Sequence, residues 1–434
     1  MRAMEIYRAR RAEFAARMGE GVAVLFATPV ARRNNDVEHP YRQSSDLYYL
    51  SGFDEPESAL VIVVDSAGAR STLFVRPRNP ERETWDGPRA GIDGVVQDFG
   101  LDEGRLIDEL EIALADLCGR SPRLWHRFGL TTEHDALVCR ALDRIRAKPR
   151  SGDLPPSQMA CPAALLADLR LRKSEWEVGR MRAAAEVTRD AHLAAMRIAK
   201  PGRFEYEVEA EILRVMRSRG AARVAYESIV GSGPNATILH YRKNARRMEE
   251  GDLLLVDAGA ELDYYAADVT RTFPISGRFT EPQRRLYQIV LDAQLAAIEA
   301  VRPGATLPQI HDVAARVITA GLVEFSLLEG DVDALLEDGA HKRFYMHRTS
   351  HWLGMDVHDV GAYTAGGEAR PLEPGFVLTV EPGLYVATDA EVPAEYRGLG
   401  VRIEDDLLVT ATGHRNLTED IPKQVAELER ILAS

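Results

Sequence analysis

Gly251-Asp-Leu-Leu-Leu-Val-Asp257-Ala-Gly259 and Gly375-Phe-Val-Leu-Thr-Val-Glu381-Pro-Gly383 follow one pattern: glycine, five residues, a carboxylate, one residue, glycine. Each holds an apolar run of strand length that ends in an acid, and a carboxylate at the end of a buried strand is costly unless it is paired or binds a metal. The helical grammar upstream also repeats. Ser174-Glu-Trp-Glu177 and Thr280-Glu-Pro-Gln283 have the capping-box form, in which the N-cap residue and the residue three positions on satisfy each other's amides. Each predicts a helix stopped by Pro-Gly, at Lys200-Pro201-Gly202 and Arg302-Pro303-Gly304, with another helical pattern beyond. An internal duplication accounts for the recurrence. The offset between copies grows from 102 residues at Pro201 and Pro303 to 124 at Gly251 and Gly375, so the second half carries an insertion, placed in the acidic stretch from Glu324 to Asp338.

Upstream of this region the texture changes. Short apolar runs (Val22 to Ala27, Ala59 to Val64, Thr72 to Val75) alternate with helical patterns such as Glu103 to Leu117, which is α/β character. Pro149, Pro155, Pro156 and Pro162 interrupt any helix between Ile145 and Ala163, and a boundary follows near Arg170. The reading is therefore α/β (α+β), with domains at residues 1–170 and 171–434. A formal charge of −13 disfavours a binder of nucleic acid or of anionic membranes, both of which need clustered Lys and Arg. No apolar run approaches the ~18 residues that span a bilayer. The N-terminus reads as a charged helix without the apolar stretch of a secretory signal. Three cysteines, Cys118, Cys139 and Cys161, without CxxC spacing, fit a reducing, cytoplasmic setting.

Chemistry concentrates in the second part. Asp268 follows Asp257 by eleven residues; if Ala258 to Ala267 folds as a hairpin around Leu262 and Asp263, the two aspartates face each other and repel unless cations lie between them. Taken alone, such a pair reads first as two solvated turn residues. Glu381 and Glu404 shift that balance, because four buried carboxylates without cations are untenable. In Gly400-Val-Arg-Ile-Glu404-Asp, alternation places Arg402 and Glu404 on one face. Three of the eleven histidines, His347, His351 and His358, fall within twelve positions. His347 and His351 have the spacing of a zinc pair on one helix face, but the HExxH glutamate is missing and Gly354 argues for a turn. His240, in Ile238-Leu-His-Tyr241, is a weaker candidate by itself.

The segments Asp257…Asp268, Ser350-His351-Trp-Leu-Gly, Thr379-Val-Glu381-Pro-Gly and Val401-Arg-Ile-Glu404-Asp resemble the five-ligand site of the two-metal pita-bread peptidases. That family includes methionine aminopeptidase, prolidase and Xaa-Pro aminopeptidase. Pro40-Tyr-Arg-Gln-Ser-Ser-Asp-Leu-Tyr-Tyr-Leu-Ser-Gly-Phe53 is similar to the N-terminal domain that accompanies the proline-directed branch, so the resemblance covers nearly the whole chain. It implies a smaller N-terminal α/β domain and a C-terminal pita-bread metallopeptidase domain with a pseudo-two-fold duplication. It further implies hydrolysis of the bond between an N-terminal residue and a following proline by a metal-bridging hydroxide. Prolidase, restricted to Xaa-Pro dipeptides, is the alternative; a non-catalytic peptide-binding module is another, from a branch that loses ligands.

Carried over by position, the resemblance makes Asp257, Asp268, His351, Glu381 and Glu404 the metal ligands. Glu381 becomes a proton shuttle, His358 and His240 the groups that steady the substrate carbonyl, His347 part of a proline pocket and Arg402 an orienting residue, with Tyr385 as a further candidate. Four carboxylates and one imidazole form an oxygen-rich set that suits Mn²⁺, with Co²⁺, Fe²⁺ or Zn²⁺ as possible substitutes. Arg348 departs from the family, where a small residue commonly follows the first histidine. Trp85 and Asp36 occupy places where bacterial relatives lend residues to a neighbouring subunit's cleft, which implies a homo-oligomer, dimer or tetramer.

Overall fold

The computed structural model describes residues 3–148, 150 and 152–433. Their contacts divide the chain into two units, Met1–Leu169 and Arg170–Ser434.

The first unit opens with helix α1 (Ala3–Met18), the charged N-terminal helix expected from the sequence, and is built on a six-stranded mixed sheet. Its central strand β1 (Gly21–Phe26) pairs antiparallel with β2 (Ala59–Asp65), which pairs in turn with β3 (Gly68–Val75). The edge strand β4 (Glu103–Leu106) runs parallel to β3, while β5 (Arg123–Trp125) and β6 (Gln158–Ala160) extend the other side. Helices α2 (Leu110–Cys118) and α3 (Thr132–Arg146) bury Leu114, Val138 and Ala141 against Val22, Val61 and Phe74. One expectation needs correction here: the first four residues of the helical pattern from Glu103 form β4, because pairing with the open edge of β3 satisfies backbone groups that local propensity had assigned to a helix.

In the second unit the predicted grammar is realised twice. Helix α4 (Glu175–Ile198) starts at Ser174, whose amide donates to Glu177 Oε2 at 2.9 Å, and packs against α5 (Glu205–Ser218). Helix α6 (Glu281–Glu299) starts at Thr280, whose amide donates to Gln283 Oε1 at 3.0 Å, and packs against α7 (Leu307–Glu324). Between and after them lie the strands of the two copies. β7 (Ile229–Ser232), β8 (Leu253–Asp257) and β11 (Thr270–Pro274) form one antiparallel sheet, with β9 (Ala260–Leu262) and β10 (Tyr265–Ala266) in the intervening hairpin. β12 (Val377–Val380), β15 (Asp405–Val409) and β16 (His414–Asn416) form its counterpart, with β13 (Gly383–Tyr385) paired to β14 (Gly400–Arg402). Val187, Ala191 and Ile212 from the first helical pair and Leu286, Val290 and Ile318 from the second share one core with Val256 and Val380. This is the pita-bread architecture with its internal pseudo-symmetry.

Two local features place the site. The β9–β10 hairpin turns through Asp263 (φ 49°) and Tyr264 (φ 69°), both left-handed as a tight two-residue turn requires. Its base is pinched at Gly259, where a Cβ would lie 1.8 Å from the Ala267 carbonyl oxygen, so no side chain fits. The acidic stretch after α7 folds as a short helix, Val332–Glu337, whose N-cap Asp331 accepts from two amides.

Candidate metal centre and active site

A cleft of about 790 Å³ in the second unit collects the candidate residues. Asp257 closes β8 and is buried at 8 % exposure; Tyr226 Oη donates to its Oδ1 at 2.6 Å and Arg402 Nη2 to its Oδ2 at 2.5 Å. The hairpin forms as expected, but its register is a correction: Asp257 stands across from Thr270, not Asp268. The cause is the turn, which falls at Asp263–Tyr264, one residue later than expected, so the register that pairs Leu262 with Tyr265 continues down to Asp257 and Thr270. Asp268 is buried, and its backbone amide donates to Asp406 Oδ2 at 3.1 Å. Glu404, in the link between β14 and β15, accepts a 2.7 Å hydrogen bond from Thr270 Oγ1.

The histidine segment is not helical, in line with the turn that Gly354 argues for. Residues 349 to 353 run antiparallel beside β12: the Glu381 amide donates to Thr349 O, Thr379 to His351 O and Leu353 to Val377 O. His351 thus projects from extended chain, and its Nδ1 lies 3.1 Å from the Trp352 carbonyl. A ring bonded there through Nδ1–H presents Nε2, which lies 3.4 Å from Asp268 Oδ2 and 3.6 Å from Glu381 Oε1. Gly354 lets the chain fold back; a Cβ there would lie 2.1 Å from Asp359 Oδ2. Asp359 is fixed by Arg170 at 2.6 Å and Lys173 at 3.0 Å. The return places His358 against His351, with ring centroids 4.4 Å apart.

Ligand atoms of Asp268, His351 and Glu404 all lie within 4.8 Å of one another. Glu381 and Asp257 line the same cleft, each near one of these groups or its partner. Burial and mutual repulsion dominate the electrostatics. Burial, aided by Asp268, Glu381 and Asp257, pushes the Glu404 carboxyl well above its ordinary range. Burial raises Glu381 to about 7 despite the nearby His351 and Arg402, and raises Asp257 despite Arg402. Burial alone would lower His351, but Asp268 and Glu381 bring it up to about 9. Asp406 is raised by burial and by Asp268, and its Oδ1 is buried with no hydrogen-bond partner among the described residues. Such a set is short of positive charge. Divalent cations would neutralise it, and the hard oxygen donors with one imidazole fit them.

The comparisons with known proteins agree along the entire chain. The model of metallopeptidase family M24 matches residues 179–411, and that of the aminopeptidase P N-terminal domain matches residues 7–125. The Xaa-Pro aminopeptidase of Escherichia coli is 42 % identical over 430 residues, covering 99 % of this chain and 97 % of that protein. The chain belongs to metallopeptidase family M24, in its Xaa-Pro aminopeptidase branch. Aminopeptidase PepP of Pseudomonas aeruginosa superposes with TM-score 0.98 at 47 % identity, covering 100 % of this chain and 98 % of that one. A zinc-substituted E. coli aminopeptidase P in complex with product superposes with TM-score 0.97 at 42 % identity, with coverage of 100 % and 98 %. The chain is a metallo-aminopeptidase that uses divalent metal ions.

The remaining expected residues are distributed unevenly. His240 and His358 are exposed on the cleft wall, and His347 lines it as well. His347 Nε2 lies 2.9 Å from Tyr385 Oη, while its Nδ1 lies 2.8 Å from the Arg348 carbonyl. Burial, with Arg402 nearby, holds its pKa down at about 3, so it is neutral. Tyr385 is 2 % exposed and supports His347 and Arg402 from behind; it is not part of the cleft wall. Trp85 belongs to the first unit, on helix Pro80–Asp86, and is 85 % exposed; Asp36 is also exposed there. Sequence reasoning missed Tyr226, Thr270, Asp406 and the His311–Thr349 pair (2.9 Å). Thr270 and Asp406 each lie two residues from a candidate ligand, a signal that alternation along a strand offered. Tyr226 and His311 gave none.

Proposed function

We propose that the enzyme releases the N-terminal residue from peptides whose second residue is proline. Its two divalent ions, Mn²⁺ in the cell, would be held by Asp257, Asp268, His351, Glu381 and Glu404. The observation that carries the reading is the convergence of these five side chains on one cleft in a chain related along its length to Xaa-Pro aminopeptidases. When bound, the ions lower the pKa of water and polarise the scissile carbonyl. The protein does the rest. His240 and His358 hydrogen-bond the carbonyl oxygen as it gains charge, and His347, neutral and held by Tyr385, forms one side of the proline pocket. Glu381 takes a proton from the attacking water and delivers it to the proline nitrogen as the C–N bond breaks. Arg402 is a positioning residue that orients Asp257 through its Nη2.

Three further readings accompany this one. The donor set of four carboxylates and one imidazole supports manganese over softer-site metals. The exposed indole of Trp85 supports a homo-oligomer, dimer or tetramer, since aromatic side chains are enriched at interfaces. Three cysteines, all unpaired, support a cytoplasmic location. No helix among the described residues is long and apolar enough to cross a membrane.

The test is turnover of Xaa-Pro-Yaa peptides after loading with Mn²⁺, alongside metal analysis of Asp257→Ala and Glu404→Ala. Both variants are expected to lose metal and activity while remaining folded. No release from any such peptide after loading would reject the function, and full metal content in either variant would reject the ligand set. Comparison of dipeptide with tripeptide turnover separates aminopeptidase from prolidase.

A further inference from the structure

Three arginines line the cleft, and two are committed. Arg402 donates to Asp257 and Tyr385, and Arg242 lies 3.4 Å from Glu227. Arg348 is different: it is exposed on the cleft wall, and its guanidinium has neither an ion-pair nor a hydrogen-bond partner among the described residues. We propose that Arg348 recognises the C-terminal carboxylate of short peptide substrates, so that free tripeptides Xaa-Pro-Yaa are preferred over the same peptides with the carboxylate blocked. This rests on reading the cleft as a peptide site.

The surroundings fit an external anion. The acidic residues that line the cleft are Glu227, which Arg242 neutralises, and the four carboxylates of the metal centre. The wall around Arg348 instead carries His311 and the first turn of α7, at Leu307 and Pro308, where a helix of 18 residues presents its positive end. Arg348 directly follows His347, and both residues line the cleft. A peptide with its amino end at the metals and proline against His347 advances ~3.3–3.6 Å per residue, which brings its third residue to this wall. A guanidinium there offers two parallel N–H donors that match a carboxylate. Because the whole chain carries −13, an anionic chain end gains nothing from the long-range field and depends on such a local cation. The plain alternative, a solvated arginine, predicts no discrimination between acid and amide.

The experiment uses the full chain loaded with Mn²⁺ and compares Ala-Pro-Leu with its C-terminal amide. The expected KM of the free acid is about five- to tenfold lower, with the advantage shrinking at high salt. Arg348→Gln is expected to remove the preference and Arg348→Lys to restore part of it. Calorimetric titration with Pro-Leu and Pro-Leu amide reads the same preference without turnover. A protein that binds the acid selectively yet cleaves nothing would therefore refute the function and leave the arginine's role supported. Equal KM and affinity for acid and amide, or a preference that survives Arg348→Gln, would overturn the proposal.

Discussion

If the carboxylates at the centre are crowded for the sake of cations, then removing one charge from the metal-free protein should stabilise it. Glu381→Gln is the cleanest case. Its carboxyl rises from 4.5 to about 7, mainly through burial, and this net rise already includes the favourable contact with His351. At ~1.4 kcal/mol per unit, ionising Glu381 costs the folded state at most about 3 kcal/mol. The side chain is 18 % exposed and coupled to its neighbours, so ~1–3 kcal/mol is the working range. The sign follows from linkage: a carboxyl whose pKa is higher in the folded state is most readily ionised in the unfolded chain. The penalty therefore grows as pH rises from 4.5 through about 7, is complete above that, and is absent below 4.5. Thermal unfolding of chelator-treated protein near pH 8 should show Glu381→Gln melting about 2–6 °C above wild type, with no gain near pH 4. Adding Mn²⁺ should invert the order, because the wild type gains more from the metal. A variant that melts lower at pH 8 without metal, or a difference independent of pH, would refute the crowding argument.

Other outcomes follow from neighbouring contacts. Tyr226→Phe removes the 2.6 Å bond to Asp257 and should weaken metal binding about 10- to 100-fold, read by chelator competition, with little loss of stability. Gly259→Ala forces the Ala267 carbonyl aside, so it should lower both Tm and metal content; an unchanged melting curve would show that the hairpin base is looser than its 1.8 Å clearance. Burial holds His192 down at about 4, with Arg271 contributing. Its neutral form favours folding above 6.5, and up to about 3 kcal/mol is lost as pH falls from 6.5 towards 4, where the unfolded chain takes the proton first. His192→Gln should flatten that part of the stability profile, measured by urea titration at several pH values.

What could be read in advance was periodic or local. Capping boxes at Ser174 and Thr280 and the paired glycine-to-carboxylate strands are short-range patterns, and they placed the helices and strand ends of the second unit. Register was legible only in part. Alternation and a hairpin put Asp257 opposite Asp268, but the turn falls at Asp263–Tyr264, one residue later than the sequence suggests, which pairs Asp257 with Thr270. His347 and His351 stand four positions apart, a helical spacing that Gly354 already argued against, and pairing of Thr349, His351 and Leu353 with a strand nearly thirty residues away decided the backbone. Tyr226 was invisible for the same reason: its role comes from Asp257, 31 residues distant, and no motif surrounds it.

The duplication explains why the centre lies where it does, between two copies that each contribute to it. The seam between copies is stitched at β11 and β14–β15: the Glu404 amide donates to Thr270 O at 3.1 Å, and Thr272 Oγ1 donates to Arg402 O at 3.0 Å. Across that seam each half supplies what the other lacks. Asp257 of the first copy takes its counter-charge from Arg402 of the second, and Glu404 of the second takes its orienting hydroxyl from Thr270 of the first. Beneath them, Arg271 of the first copy and Asp405 of the second form a fully buried pair at 2.7 Å, to which Gln294 donates at 2.8 Å from α6. Breaking such a pair from one side leaves an uncompensated charge and costs about 3–5 kcal/mol. Asp405→Asn should therefore separate the seam before it alters any ligand directly. The expected signature is loss of metal that tracks loss of stability, and metal loss in a variant as stable as wild type would place Asp405 in the centre itself.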